Sequence, residues 1–400
     1  MNIQEYAPLA VALETELCKY PALAPESGGE GELEKCQFLE SWLKQHGISQ
    51  LERYDAPDNR VKSGIRPNLC ATIPGAVDSQ RLWIISHLDV VPPGNADQWE
   101  NKNPWQVQYK DGVLIGRGVE DDQQGIVSSV LAALSFVQNG KKPSRTVKLL
   151  FTADEENGST YGMDWLVNHC NLFQSDDLIL IPDGGDPEGK TIEIAEKNLL
   201  WLKFTVIGKE SHGSRPDEGI NTHIAAADLA LTLHSELSQQ FSAHDSLFTP
   251  EYSTFQPTRT EENVQNINTI PGKDVFYMDC RILPRYALDT VLTEIHRIQT
   301  AIEKKYTVHI QHDIQQAIES PATSAQAPIV QLLSRAIQDV YHESAYCIGI
   351  GGGTVAAQLR KKGFEAAIWS RTDNSAHRIN EYALLDNILG DAQVMACLMA

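Results

Sequence analysis

Three short runs of almost continuous apolar residues end directly on side chains that bind cations or move protons. Arg81–Ser86 (RLWIIS) leads into His87, Val147–Ala153 (VKLLFTA) into Asp154-Glu155-Glu156, and Leu178–Pro182 (LILIP) into Asp183. Runs of this length, without the polar alternation of a half-exposed strand, read as strands covered on both faces, as in parallel sheets. Ala366–Trp369 is a fourth such run. Between the strands, Ile126–Gln138 has apolar residues at 126, 127, 130, 131, 134 and 137, a helical spacing, and Gly140 suits the cap that ends it. Glu381–Met399 reads as a closing helix. Strand and helix alternate, so the larger domain is expected to be α/β, with helices over a mostly parallel central sheet.

From about Asn198 to His312 the order changes. Leu199–Ile207 reads as a strand, Asn221–Leu237 as a helix, Val264–Asn268 and Val275–Leu283 as strands, Leu288–Ile302 as a helix and Thr307–Ile314 as a strand. The order β-α-β-β-α-β is the split ferredoxin-like pattern, a domain in its own right. The expected organisation is a larger domain built from 1–197 and 318–400, with 198–317 inserted as a smaller α+β domain.

Charge narrows the partners. With 33 basic and 53 acidic residues the formal net charge is −20, which opposes binding to nucleic acid and to anionic membranes. No run approaches the ~18 apolar residues that cross a bilayer. The first residues, MNIQEYAPLAVALETELCKY, lack a basic leader and carry Glu5, Glu14 and Glu16, as an ordinary amphipathic helix does. The seven cysteines are scattered and form no C-x-x-C pair, which argues against disulfides or a cysteine zinc site and makes a reducing cytoplasm the expected location.

Five signals carry chemistry. In His87-Leu88-Asp89 residues i and i+2 of an extended segment share a side, so Asp89 can hold one imidazole nitrogen and leave the other for a metal. A hydrogen-bonded pair at a strand end is the better explanation of that pattern taken alone. Gly116-Arg117-Gly118-Val119-Glu120-Asp121-Asp122 precedes a helix, where acids act as caps; a site requires at least one of them to face a cation. Asp154-Glu155-Glu156 is either a solvated acidic loop or a cation-compensated cluster. In the second case one acid binds metal and its neighbour takes a proton from metal-bound water. Asp183, before Gly184-Gly185, and His377, in Ser375–Glu381, complete the set. Ligands of open α/β sheets bind outside the carboxyl ends of the strands, so His87, Asp121, Glu156, Asp183 and His377 are expected to converge there. Two imidazoles and three carboxylates suit Zn²⁺, with Co²⁺ or Mn²⁺ as substitutes. Five ligands exceed the usual set for one catalytic zinc. They fit two metals ~3.5–4 Å apart with one bridging carboxylate.

Six ordered motifs resemble those of the dinuclear zinc metallopeptidases and deacylases that include glutamate carboxypeptidase, carnosinase-type dipeptidases, succinyl-diaminopimelate desuccinylase and acetylornithine deacetylase. They are SHLDVVPPG (86–94), DGVLIGRGVEDD (111–122), TADEENGS (152–159), IPDGG (181–185), GKESHGS (208–214) and AHRINE (376–381), spread over nearly the whole chain. The resemblance implies that His87 and Asp183 bind one metal, Glu156 and His377 the other, and that Asp121 bridges them. It makes Asp89 the residue that orients His87, and Glu155 the general base acting on a bridging hydroxide. It makes His212 an oxyanion-stabilising histidine and Arg281 the grip on a substrate carboxylate, with Asn268, Gly353 and Thr354 lining the pocket. The inserted domain becomes the lid and dimerisation domain. In relatives with so compact a lid the histidine reaches the partner's active site, so a homodimer is expected. Two departures stand out. Asp121-Asp122-Gln123-Gln124-Gly125 replaces the family's DDKG or DMKG, and Asp at 183, where deacylases tend to have Glu, tilts the reading towards a peptidase. The expected substrate is a small peptide or N-acyl amino acid with a free carboxylate: a dipeptide first, an N-succinyl or N-acetyl amino acid second. A non-catalytic relative is expected to lack Glu155 or a ligand, and here all are present.

Overall fold

The computed structural model describes residues 2–400. The chain forms two compact units. One comprises the residues up to Ile194, Thr323–Ile348 and Thr354–Ala400; the other comprises Ala195–Ala322 and Gly349–Gly353. The divisions fall a few residues from 197/198 and 317/318. The glycine run makes a further excursion into the smaller unit, so the chain crosses four times rather than the two expected. At the main insertion the Thr323 amide donates to the Ile194 carbonyl at 2.8 Å.

The larger unit is α/β around an eight-stranded sheet. Its spatial order is Leu51–Pro57, Ile65–Ile73, Arg145–Thr152, Val77–His87, Leu178–Gly185, Ala366–Ser370, Thr191–Glu196 and Tyr346–Ile350. The four strands foreseen from apolar runs are the middle four, and they are mutually parallel. Their side chains are buried on both faces: Leu82, Trp83, Ile84 and Ile85 in one strand, Leu149, Leu150 and Phe151 in its neighbour. The strands at one flank, and Thr191–Glu196 at the other, pair antiparallel. His87 lies level with Thr152, and Ile181 with Ile368, so the carboxyl ends of the parallel strands meet at one edge.

The helix Gln123–Val137 starts where Asp122 accepts the Gly125 amide at 3.2 Å. It is buried on every side from Gln123 to Phe136, because it packs against the sheet and against the helices Ala7–Leu17 and Leu385–Met399. Its polar side chains turn onto nearby acceptors: the Ser128 hydroxyl donates to the Ile388 carbonyl, and the Gln124 amide to Asp391.

The smaller unit is a four-stranded antiparallel sheet in the order Thr254–Thr260, Lys273–Ile282, Asn198–Ile207, His309–Ile318. With the helices Thr222–Gln240 and Leu288–Tyr306 it realises the β-α-β-β-α-β order. Leu200, Leu202, Phe204 and Val206 alternate inward to meet Leu229, Leu233, Val291 and Ile295, while Trp201 faces out. One strand differs from expectation. The second strand is Thr254–Thr260, and 264–268 is a loop that leaves Ile267 fully exposed. Thr254–Thr260 is an edge strand, mostly exposed and interrupted at Pro257, so it carries little apolar signal. Among the described residues no helix is long and apolar enough to cross a membrane.

Gly185 ends a central strand against Ser370. A Cβ there would stand 1.8 Å from the Ser370 carbonyl oxygen, so the two strands must part to admit one. Gly185→Ala is therefore expected to destabilise the protein by about 1–3 kcal/mol in denaturant titration, the usual range for overpacking.

Candidate metal centre

His87 is the last residue of its strand. Its Nδ1 lies 3.0 Å from the Asp89 carbonyl oxygen. A carbonyl only accepts, so Nδ1 carries a proton and Nε2 is the nitrogen a cation would take, displacing the proton that Asp121 holds there in metal-free protein. That Nε2 is 2.8 Å from Asp121 Oδ1 and 3.9 Å from Asp183 Oδ1. The second oxygen of Asp121 is 3.0 Å from His377 Nε2, which lies 3.1 Å from Glu156 Oε2. Asp121 thus stands between the two imidazoles with one oxygen towards each. Ligand atoms of His87, Asp121 and Glu156 form one tight group, and those of His87, Asp122 and Asp183 a second. Asp122 is drawn into that group by proximity, but its oxygens already accept the His87 and Gly125 amides. The acid-rich segment before the helix therefore supplies one cap, Asp122, and one group facing the histidines, Asp121.

The acid pair is held from behind. Asp89 accepts the amides of Glu155 and Glu156, each at 3.0 Å, while its Oδ1 is 3.5 Å from His87 Nδ1. Its carboxylate therefore fixes the acid loop and also faces His87, whose Nδ1 makes its shorter contact with the Asp89 carbonyl. Asp154 adopts a left-handed φ of +64°. It is tied to Arg66 at 3.2 Å and accepts the Tyr161 amide, while its own amide donates to Glu32. Arg66 and Glu32 are themselves a fully buried pair. Asp154 belongs to the acidic signal read from the sequence, but neither Glu32 nor Arg66 stood out there. A charged Arg66 inside the mostly apolar segment IRPNLCATI was the available signal, since a buried charge requires a partner.

The electrostatics follow from crowding. Burial, then the charges of Glu156, Asp89 and Asp121, push Glu155 up to about 8 against the pull of His87. Burial and Asp121 hold Asp183 well above the ordinary carboxylate range, and burial raises Glu156. Hydrogen bonds to Asp121 and Glu156 raise His377 to about 10. Burial opposes the charge on Asp121, yet His377 and His87 keep its carboxyl below the usual range. Negative charge is in excess, and the donors are imidazole nitrogens and carboxylate oxygens. That set fits divalent cations of the zinc, cobalt and manganese kind.

The other expected residues lie elsewhere in the fold. His212 sits in a two-residue strand paired with Thr269–Ile270, its Nδ1 2.8 Å from Ser214 Oγ. The Asn268 carbonyl accepts the Gly213 amide. Arg281 donates twice to Asp279, at 2.7 and 3.0 Å, and once to the Gly351 carbonyl, and its guanidinium lies 5.8 Å from the Trp201 ring centre. These three and Gly353 belong to the smaller unit; Thr354, which accepts the Ala356 amide, belongs to the larger.

Residues 83–400 match the model of peptidase family M20/M25/M40. The chain belongs to that family. An uncharacterised metallohydrolase of Methanocaldococcus jannaschii is 40% identical to this M20/M25/M40 member, over 96% of this chain and 97% of its own. A probable succinyl-diaminopimelate desuccinylase of Staphylococcus epidermidis is 25% identical over 91% of each chain. The crystal structure of a dinuclear metal binding peptidase of the M20 family from Bacillus subtilis shares the fold, with a TM-score of 0.68 at 16% identity and 99% of each chain covered. As a member of this family the protein is a metal-dependent hydrolase acting on amide or peptide bonds.

The pKa directions fix how pH acts on metal-free protein. Between about 4.5 and 8 folded Glu155 retains a proton that the unfolded chain has released, so stability falls as pH rises through that window. Asp183 and Glu156 act in the same direction. The contribution of His377 is complete below its ordinary 6.5 and is lost as pH rises through about 10. Metal binds the deprotonated ligands. The thermal midpoint of metal-stripped protein should therefore fall from about pH 5 to about pH 9, while the increment given by added Zn²⁺ grows. An increment independent of pH would contradict this account of the site.

Proposed function

We propose that the protein is a dinuclear metallopeptidase that cleaves small peptides, dipeptides foremost, bearing a free carboxylate. His87 and Asp183 would hold one divalent cation and Glu156 and His377 the other, with Asp121 shared between them. The observation that carries this reading is Asp121 with one oxygen towards each imidazole. Bound there, the cations polarise the scissile carbonyl and acidify the attacking water. Glu155 takes the proton from that water and delivers it to the leaving nitrogen. Burial makes this carboxylate more basic than an exposed one, which suits it to proton transfer. Asp89 keeps Glu155 in register through its amide. Arg281 recognises the substrate carboxylate by exchanging its bond to Asp279 for a bidentate one to substrate. Asn268, Gly353 and Thr354 line the pocket. Asp183 supports a peptidase, whereas the desuccinylase relative favours a second reading, hydrolysis of an N-succinyl amino acid.

The test is a panel of dipeptides, N-succinyl and N-acetyl amino acids, assayed on metal-reconstituted protein and after chelation. Release from dipeptides should dominate and be abolished by the chelator. Faster release from N-succinyl amino acids would select the second reading. Glu155→Ala should retain its metals by elemental analysis and lose ~10²–10⁴-fold in kcat.

The active form is a homodimer through the smaller unit, with His212 stabilising the oxyanion in the partner's site. Supporting this, the helix Thr222–Gln240 exposes Ile224, Ala227 and Leu231 along one stripe, with Ile224 54% and Leu231 67% exposed. Mixing His212→Ala with Glu155→Ala under subunit exchange should restore a sizeable fraction of activity. No recovery, or a fully active monomer in sedimentation, removes the dimer proposal.

A further inference from the structure

The loop bearing Asp121 and the loop bearing His377 are joined by two carboxylates outside the ligand set. Glu120, 6% exposed, reaches into the segment that precedes His377. Its Oε1 accepts the Asp373 amide at 2.7 Å. Its Oε2 accepts the Ser375 amide at 2.5 Å and the Ala376 amide at 2.8 Å, and lies 2.8 Å from the Ser375 hydroxyl, whose proton it shares with the Tyr382 carbonyl at 2.7 Å. Glu381, 1% exposed and four residues beyond His377, reaches the opposite way. Its Oε1 accepts the amides of Glu120 and Asp121 at 3.0 and 3.1 Å, and its Oε2 pairs with buried Arg117 at 2.5 Å. Each loop thus supplies a carboxylate that gathers backbone amides of the other.

The direction of these bonds matters. His377 sits in a loop, at a left-handed φ of +64°, with its side chain half exposed. Regular secondary structure does not hold it, unlike His87 at the end of a buried strand. The ties from Glu120 end at Ala376, the residue before the imidazole, and those from Glu381 end at Asp121 itself. Four donors on one carboxylate make charge-assisted bonds stronger than neutral ones. They determine where the segment stands relative to Asp121.

We propose that Glu120 and Glu381 are positioning residues, a reciprocal clamp that sets the spacing between Asp121 and His377 and thereby the affinity of the metal held by His377 and Glu156, while the metal held by His87 and Asp183 depends little on it. The proposal rests on the two-metal reading above. Outer partners of metal ligands change affinity by ~10–100-fold when removed. Glu120→Gln retains the volume but turns an amide NH₂ towards donors, so the clamp opens without a cavity.

The experiment is stepwise titration of full-length, metal-stripped protein with Co²⁺, followed by calorimetry and by visible absorption. Wild type should bind two equivalents. In Glu120→Gln the first should bind within about twofold of wild type, while the second weakens ~10–100-fold and its absorption band changes. General loss of structure would weaken both together, so the selectivity is the readout. If Glu120→Gln does not fold, Ser375→Ala, which removes one donor, must still weaken the second equivalent selectively, by several-fold. One equivalent in wild type would defeat the two-metal reading. Two equivalents in wild type, with both or neither weakened in the variant, would defeat the clamp alone.

Discussion

Carboxylates crowded at one edge of a parallel sheet are the constraint from which the larger unit follows. Asp89, Asp121, Glu155, Glu156 and Asp183 all act on one another's charge. Two unit charges ~4 Å apart repel by about 4 kcal/mol at an effective dielectric near 20. The fold answers with fixed dipoles and paired cations. Asp89 is neutralised by two backbone amides, and Asp154 and Glu32 share Arg66. Glu381 is paired with Arg117. What remains uncompensated centres on Glu155 and Asp183, beside the histidines where we propose the metals bind.

The task of each acid is set by what already occupies its oxygens. Asp121 and Asp122 are neighbours, yet Asp122 is taken up by amides at a helix start and Asp121 by imidazoles. Glu155 and Glu156 are separated the same way: one faces His377, while the other lies among like charges in a desolvated place and keeps its proton to higher pH. Identity of residue type says little here, because the surrounding donors do the sorting.

This also explains what could be read from the sequence. The four central strands were legible because burial on both faces leaves an apolar run in the chain, and His87, Glu156 and Asp183 stood out as candidates because they follow those runs, whereas Asp121 and His377 lie in loops. Thr254–Thr260 was not, since an edge strand is mostly wet and its pairing partner, not its composition, makes it a strand. The flanking strand Leu51–Pro57 is half exposed and escaped notice for the same reason. Glu120 meets Asp373 across 253 residues, and Glu32 meets Asp154 across 122, so nothing local marks either as a support. Asp89 lies beside His87 as the spacing implied, and the same carboxylate also holds the next loop, a task that spacing alone did not reveal.

The bond between the Thr323 amide and the Ile194 carbonyl has a consequence for how such a chain can change over time. The insertion leaves the larger unit and returns to it at two points already in contact, so the larger unit sees a closed loop whatever its length. Closing a longer loop costs little more than closing a short one, about 0.6 kcal/mol per doubling. The intervening module can therefore be lengthened, shortened or exchanged with little penalty to the sheet that presents His87 and Asp183. The length and surface of the inserted module can then change while the sheet and the carboxylates at its edge stay constant.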